Sequence, residues 1–340
     1  MRIHRHISHQ VATAALGLLS LAGLYCPALA QTTIVGPGIL PGTDAFVSDQ
    51  KPGSILFYTY YESSSTNTSV NTRINLTNTN PQQTAFVHVF FIASCSPADA
   101  YLCLTPSQTM SVTTADFDPD AKGYIVAVAV EGGTPTAPGS GCPISFNWLI
   151  GNEYIKLAGG FTATLGAEAV AARFNGSLAG CATGDLSATL NLDGATYDRI
   201  GGVLSADNIP SRLDGNQIRL IVIGPHGDLS TSGGETGMLF GALYDESEQP
   251  HSFRLGGDCL VNILLDNKSV RILNGGFDAV IGLGRSGWIR FWSLDGHALL
   301  GALLITNSTP SNNSFTGGHT LHKLTMANTS LTIPLFTPVC

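Results

Sequence analysis

Three carboxylates alternate in Asp116-Phe117-Asp118-Pro119-Asp120. Carboxylates at this spacing can converge on a hard cation such as Ca²⁺, which takes roughly six to eight oxygen ligands. The stretch is not an EF-hand loop, because Ala121 stands where the turn glycine belongs and Ala127 where the bidentate glutamate belongs. Without a cation the same residues read as an exposed acidic turn. Imidazoles offer a second chemistry. His319 and His322 are three apart in Gly317-Gly318-His319-Thr320-Leu321-His322. On a helix they would share a face, but the Gly-Gly pair and Thr320 favour a strand, where they point to opposite sides. His226 and Asp228 flank Gly227, as a base and its orienting carboxylate do in a hydrolase, or as two solvated turn residues. A third chemistry is stacking. In Trp288-Ile289-Arg290-Phe291-Trp292 the two indoles and Arg290 fall on one face of a strand. Exposed, that face would stack on sugar rings or on a cation. Buried, it is ordinary core, the commoner fate of tryptophan in a sandwich.

Gly284-Arg285-Ser286-Gly287 opens like a nucleophile elbow, but Trp288 replaces the last glycine and no strand-elbow-helix pattern surrounds it. It reads as a turn before a strand. No catalytic constellation is assembled by sequence proximity alone.

Residues 1–30 read as a secretory signal peptide. Arg2 and Arg5 form the basic region, Val11 to Leu24 the apolar stretch, and Ala28-Leu29-Ala30 the cleavage site. The apolar run is shorter than the ~20 residues of a membrane span, and no later stretch is long and apolar enough to be one. The expected product is secreted or periplasmic, with cleavage near Ala30 and no transmembrane segment in the mature chain. Losing Arg2 and Arg5, and no acid, takes the formal charge from −8 to −10. An acidic chain without a basic cluster argues against nucleic acid and anionic membrane partners. Only 12% of residues are charged, against roughly 25% in ordinary domains, so the surface must be built largely from Thr, Ser, Asn and Gly.

Beyond the signal lie six cysteines, Cys95, Cys103, Cys142, Cys181, Cys259 and Cys340. In an exported chain an even number reads as disulfides. The expected pairs are Cys95–Cys103, Cys142–Cys181 and Cys259–Cys340, each kept within one module. A zinc site is disfavoured because there is no C-x-x-C spacing.

The positioning elements are strands. Residues 31–53 are Gly/Pro-rich and read as an extended leader. Thr72 to Asn78 alternates with period 2, whereas Ala85 to Ile92 and Gly123 to Val130 are continuous apolar runs. The one helical candidate is Gly166 to Phe174. L-x-G-G-F-x-A-x-x-G occurs at Leu157–Gly166 and at Leu273–Gly282, 116 residues apart. Gly123 to Glu131 is echoed by Gly237 to Asp245, at spacing 114. These echoes predict a duplication, with Gly160 and Gly276 in equivalent hairpin turns.

The strand, Asn-Pro turn, strand, Thr/Ser-rich stretch and strand of Thr72 to Val130 resemble immunoglobulin-like segments of uncharacterised secreted bacterial proteins. The resemblance implies a fold and carries over no function. The expected fold is all-β: two antiparallel, immunoglobulin-like β-sandwich modules over 54–190 and 191–340, with little helix. The expected function is that of an exported binding or structural protein of the cell envelope or extracellular matrix, acting in adhesion or glycan binding, with carbohydrate or envelope components as partners. The alternative is a secreted hydrolase of esters, lactones or glycosides, with Ca²⁺ at Asp116, Asp118 and Asp120 and an acid/base among His226, His319 and His322.

Overall fold

The computed structural model describes residues 45–133, 138–272, 275–307 and 315–338. The signal peptide, most of the leader and Cys340 lie outside them. A first series of strands comprises β1 (Ile55–Glu62), β2 (Asn71–Asn78), β3 (Ala85–Ala93), β4 (Ser96–Leu104), β5 (Thr109–Thr113), β6 (Lys122–Val130), β7 (Leu149–Lys156), β8 (Thr162–Gly166) and β9 (Glu168–Val170). After β10 (Ser187–Leu192) a second series begins with β11 (Ile200–Pro210) and β12 (Asn216–Ile223). Two minimal strands follow, β13 (Gly227–Asp228) and β14 (Ser232–Gly233). The series resumes with β15 (Leu239–Tyr244), β16 (Pro250–Leu255), β17 (Leu260–Leu264), β18 (Ser286–Ser293), β19 (Leu300–Asn307), β20 (Phe315–Thr320) and β21 (His322–Ala327). β22 (Thr329–Pro334) comes last, and the only α-helix among the described residues is α1 (Phe277–Val280).

The chain is therefore all-β, in five small sheets. Their number and size are propeller-like, and the two self-contained immunoglobulin-like sandwiches expected over 54–190 and 191–340 do not account for them. The fifth sheet, β10-β22-β13-β14, draws on strands from outside both series. Two of the cores also run from one half into the other. The connectivity is nevertheless not blade by blade, because successive strands cross between paired sheets. The first series forms β4-β3-β6-β1-β9 and β5-β2-β7-β8; the second forms β16-β15-β18-β11-β21 and β17-β12-β19-β20. These are the same two strand orders, written twice.

The correspondence extends to register. The β1–β6 ladder slips between Tyr58 and Tyr61, and the β11–β18 ladder between Ala206 and Ile209. After the slip Tyr61 faces Gly123 and Ile209 faces Gly287. Both glycines are required by close approach: a Cβ on Gly123 would lie 1.9 Å from the carbonyl oxygen of Ile92, and one on Gly287 would lie 2.3 Å from that of Tyr244. The matching positions are thus 148 and 164 residues apart (Tyr61 to Ile209, Gly123 to Gly287), not 114 to 117. The sequence echoes paired the wrong elements. Gly160 lies in the β7–β8 hairpin, whereas Gly276 precedes α1 between β17 and β18. Both have positive φ, 82° and 79°, so the shared motif records a local conformational need and not descent. The helical candidate at 166–174 fails as well, since Glu168–Val170 is a strand paired with β1.

Burial follows the alternation. β2 and β7 alternate along their length and keep one wet face, while β1 and β6 are buried on both. Leu56, Tyr58, Ile125 and Ala127 pack against Ile74 and Leu76 between the first two sheets. Leu204, Ala206, Ile289 and Phe291 pack likewise against Ile218, Leu220 and Leu303 in the second pair. Tyr60, Ile155 and Leu165 meet Ile221 and Leu304, joining the halves.

Two of the expected disulfides are corrected. Cys95 is bonded to Cys259, across the halves, while Cys142–Cys181 forms as expected. Cys103 is also disulfide-bonded, but not to Cys95. Ser94 and Cys95, with φ of 48° and 66°, are the two central residues of a tight β3–β4 hairpin. Cys103 sits far down β4, opposite Phe86, at ~3.4 Å per residue well beyond the reach of a disulfide. Ser96 to Asp99, between the two cysteines, form the start of β4.

Candidate functional site: an uncovered sheet face

The shared register allows the same sheet face to be compared in the two halves. In the first, the face formed by Ile55, Phe57, Phe90, Ile92, Tyr124, Val126 and Val128 is buried under Leu190 and Leu192 of β10 and Leu331 and Ile333 of β22. Phe336 closes one end, with its carbonyl accepting from the Tyr101 hydroxyl at 2.9 Å. In the second half the counterparts of Tyr124, Val126 and Val128 are Trp288, Arg290 and Trp292. Those of Ile92, Phe90 and His88 are Tyr244, Ala242 and Phe240. None of the four aromatics is in the buried core; each is half-buried, and Arg290 is exposed.

Strand alternation produces this. Ile289 and Phe291 point inward, so Trp288, Arg290 and Trp292 must point out. The core reading of these tryptophans is thereby corrected. Directly across the β15–β18 ladder, Trp288 stacks on Tyr244 with centroids 4.3 Å apart and planes within 6°. Trp292 meets Phe240 at 5.2 Å. The Arg290 guanidinium reaches to 5.6 Å from the centre of the Tyr244 ring.

The histidine pair arrives at the edge of the same face. His319 is the penultimate residue of β20 in one sheet, the chain crosses at buried Leu321, and His322 begins β21 in the next. A single strand would have pointed the imidazoles apart; the crossover brings both to Asp207. Nε2 of His319 is 3.8 Å from Asp207 Oδ1, and Nε2 of His322 is 3.5 Å from Oδ2. Asp207 lies in the β11 bulge, opposite Trp288. Beside it opens a cavity of about 780 Å³ lined by Phe46, Asp49, Arg199, Asp207, His319, His322 and Lys323, among others. At its margin Lys323 pairs with Glu168 of β9, which is buried.

The other candidates are not assembled into sites. His226 does not pair with Asp228: its Nε2 lies 2.7 Å from the Glu235 carbonyl oxygen, its ring stacks on His297 at 4.2 Å, and burial lowers its pKa. Asp228 accepts instead from Ser230 N and Oγ. The three aspartates do not converge. Asp118 accepts from the Tyr61 hydroxyl, and Asp120 accepts from the Ser65 hydroxyl and from Ser65 N at 2.8 Å, which lower its pKa, the hydroxyl most. Asp118 and Asp120 therefore pin the loop after β1, while Asp116 closes a short 3₁₀ turn. Among the described residues, the metal-like cluster of closely spaced ligand atoms is Cys95, Asp258 and Cys259, and its two sulfurs are joined to each other.

Sequence reasoning missed Phe240, Tyr244, Arg254 and Asp207. The signal for the first two was present, since Phe240, Ala242 and Tyr244 alternate with core-facing Leu239 and Leu243. Asp207 had none, because its position depends on a bulge. No known protein family matches the chain, and no curated protein matches it. No helix among the described residues is long and apolar enough to cross a membrane.

Proposed function

We propose that the protein is exported and binds glycans through the outer face of β16-β15-β18-β11-β21. The carrying observation is that this face, buried under a fifth sheet in the first half, is uncovered in the second and dressed with Trp288, Trp292, Tyr244, Phe240 and Arg290. An aliphatic surface left open would favour aggregation. Half-exposed aromatics flanked by hydrogen-bonding groups instead suit the alternating C–H and hydroxyl faces of a sugar ring. The two disulfides support export to an oxidising compartment, as does the N-terminal sequence pattern. The repeated strand orders support descent from one duplicated module, with a boundary near β10. A glycan array probed with the mature protein tests the reading. Binding is expected, and is expected to be lost in Trp288→Ala and Trp292→Ala variants that keep the parent melting temperature. Absence of any bound glycan, or binding indifferent to both changes, overturns it.

A secreted hydrolase is the second reading, favoured by one observation: Asp207 braced between His319 and His322 beside the cavity. It requires turnover of a chromogenic ester, lactone or glycoside that Asp207→Asn abolishes. An inactive parent across that panel removes it.

A further inference from the structure

Strand register divides the uncovered face into three rows running across the strands. The outer rows are Arg254-Phe240-Trp292-Val203 and Pro250-Tyr244-Trp288, the latter ending at the Asp207 bulge. The middle row is Ser252-Ala242-Arg290-Ser205-His322. Between the two aromatic rows it is small or polar, a shallow trough with Ala242 and Ser205 buried at its base and the exposed Arg290 rising from it. At its centre Ala242 replaces the bulk that Phe90 supplies in the first half, and Arg290 lies directly opposite Ala242.

Neither Arg290 nor Arg254 enters an ion pair among the described residues, whereas Arg173 and Arg212 are paired with Asp198 and Asp278. The carboxylates at the rim are already engaged. Asp207 is bracketed by two imidazoles, Asp245 accepts from the N–H groups of Ser247 and Gln249, and Glu246 accepts from Ser286 N. In a chain of net charge −8, the floor of this trough carries an uncompensated guanidinium between two aromatic pairs.

From this, and resting on the glycan reading above, we propose that the preferred ligand is an anionic glycan, with pyranose rings held between the aromatic rows and an acidic substituent on Arg290. Guanidinium is the cation suited to that task. It binds a carboxylate or sulfate through two parallel hydrogen bonds, and its planar form lets it stay stacked on Tyr244 while doing so. Strands are spaced ~4.8 Å apart, so the five-strand row is about 19 Å long, which accommodates an oligosaccharide and not merely one ring.

The test compares oligogalacturonate, sulfated dextran oligomers and neutral dextran oligomers by calorimetric titration. The proteins are the mature chain and its Arg290→Gln, Arg290→Lys and Trp288→Ala variants, each first checked for an unchanged melting temperature. At least one acidic ligand should bind about tenfold tighter than the neutral one. Arg290→Gln should erase that preference and Arg290→Lys restore only part of it, and the preference should weaken as salt is raised. Which acidic ligand wins assigns the substituent as carboxylate or sulfate. Equal binding of neutral dextran, unaffected by Arg290→Gln but lost in Trp288→Ala, overturns the anionic preference and leaves glycan binding standing. No binding of any of the three, together with an empty glycan array, overturns both.

Discussion

The two copies of the β3-β6-β1 surface differ in what has been built over them. In the first half Phe57, Phe90, Tyr124, Val126 and Val128 are fully buried beneath β10 and β22. In the second, Ser205, Ala242, Trp288, Arg290 and Trp292 occupy the same registers with no covering sheet among the described residues; Arg290 is exposed, both tryptophans are half-buried, and Ser205 and Ala242 are buried between them. Strand order, bulge and the close-approach glycine are alike in both, so the backbone does not decide whether this surface is core or solvent-facing. Side-chain chemistry does: a surface built mainly of Phe, Val and Ile demands a cover, and tryptophans and a tyrosine around a cation tolerate water.

That comparison can be broken in three places, the largest effect first. Phe90→Ala opens a cavity in the covered face and should cost about 3–5 kcal/mol in chemical denaturation. The reciprocal Ala242→Phe, at a position only 9% exposed beneath Arg290 and the flanking aromatics, should cost less, about 1–3 kcal/mol, while displacing those side chains and abolishing glycan binding. Equal costs at the two positions would mean that the second face is covered as well.

A second contrast lies between Glu153, fully buried on β7 opposite core-facing Ile74, and β19, where the residues opposite core-facing Ile218 and Leu220 are the apolar Ile305 and Leu303. Burial raises the Glu153 carboxyl from 4.5 to about 8, against hydrogen bonds from Thr59 and the Tyr60 amide that favour its charged form. The folded state therefore holds the proton more tightly than the unfolded chain. The resulting stability is complete below about pH 4.5, declines as pH rises, and is gone above about pH 8. Glu153→Gln should flatten that decline and leave the protein a few kcal/mol more stable than the parent at pH 9. An unchanged pH profile would show that Glu153 is already ionised in its pocket.

The smallest expected effect is on the ladder itself. Trp292→Ala should lower stability by about 1–2 kcal/mol, less than a core tryptophan, because its face is wet. A loss above about 4 kcal/mol would place Trp292 in the core after all.

Much of this was legible in the sequence, and the failures are instructive. Strand-forming runs such as Ala85 to Ile92 and Gly123 to Val130 fall inside β3 and β6, because apolar runs bounded by turn residues have few other solutions. The Trp288-Arg290-Trp292 face was read from period 2, yet whether it is wet depended on where β10 and β22 go, and pairing between distant strands leaves no local trace. The motif that suggested duplication matched turns of unlike position, since glycine answers to φ and not to topology. The real repeat is hidden in strand order and in one bulge, which side-chain identity does not record. His319 and His322 were separated on paper by an assumed continuous strand, and the crossover at Leu321 reunites them.

The fifth sheet also sets an order of events. The face of β1, β3 and β6 is complete once Val130 is made, but half of its cover, β22, is supplied only by Thr329–Pro334, a whole series of strands later. During synthesis, Phe57, Phe90 and Val126 must stand exposed until that segment arrives. Such an intermediate is prone to aggregate, and that hazard ends only when β22 docks over the face.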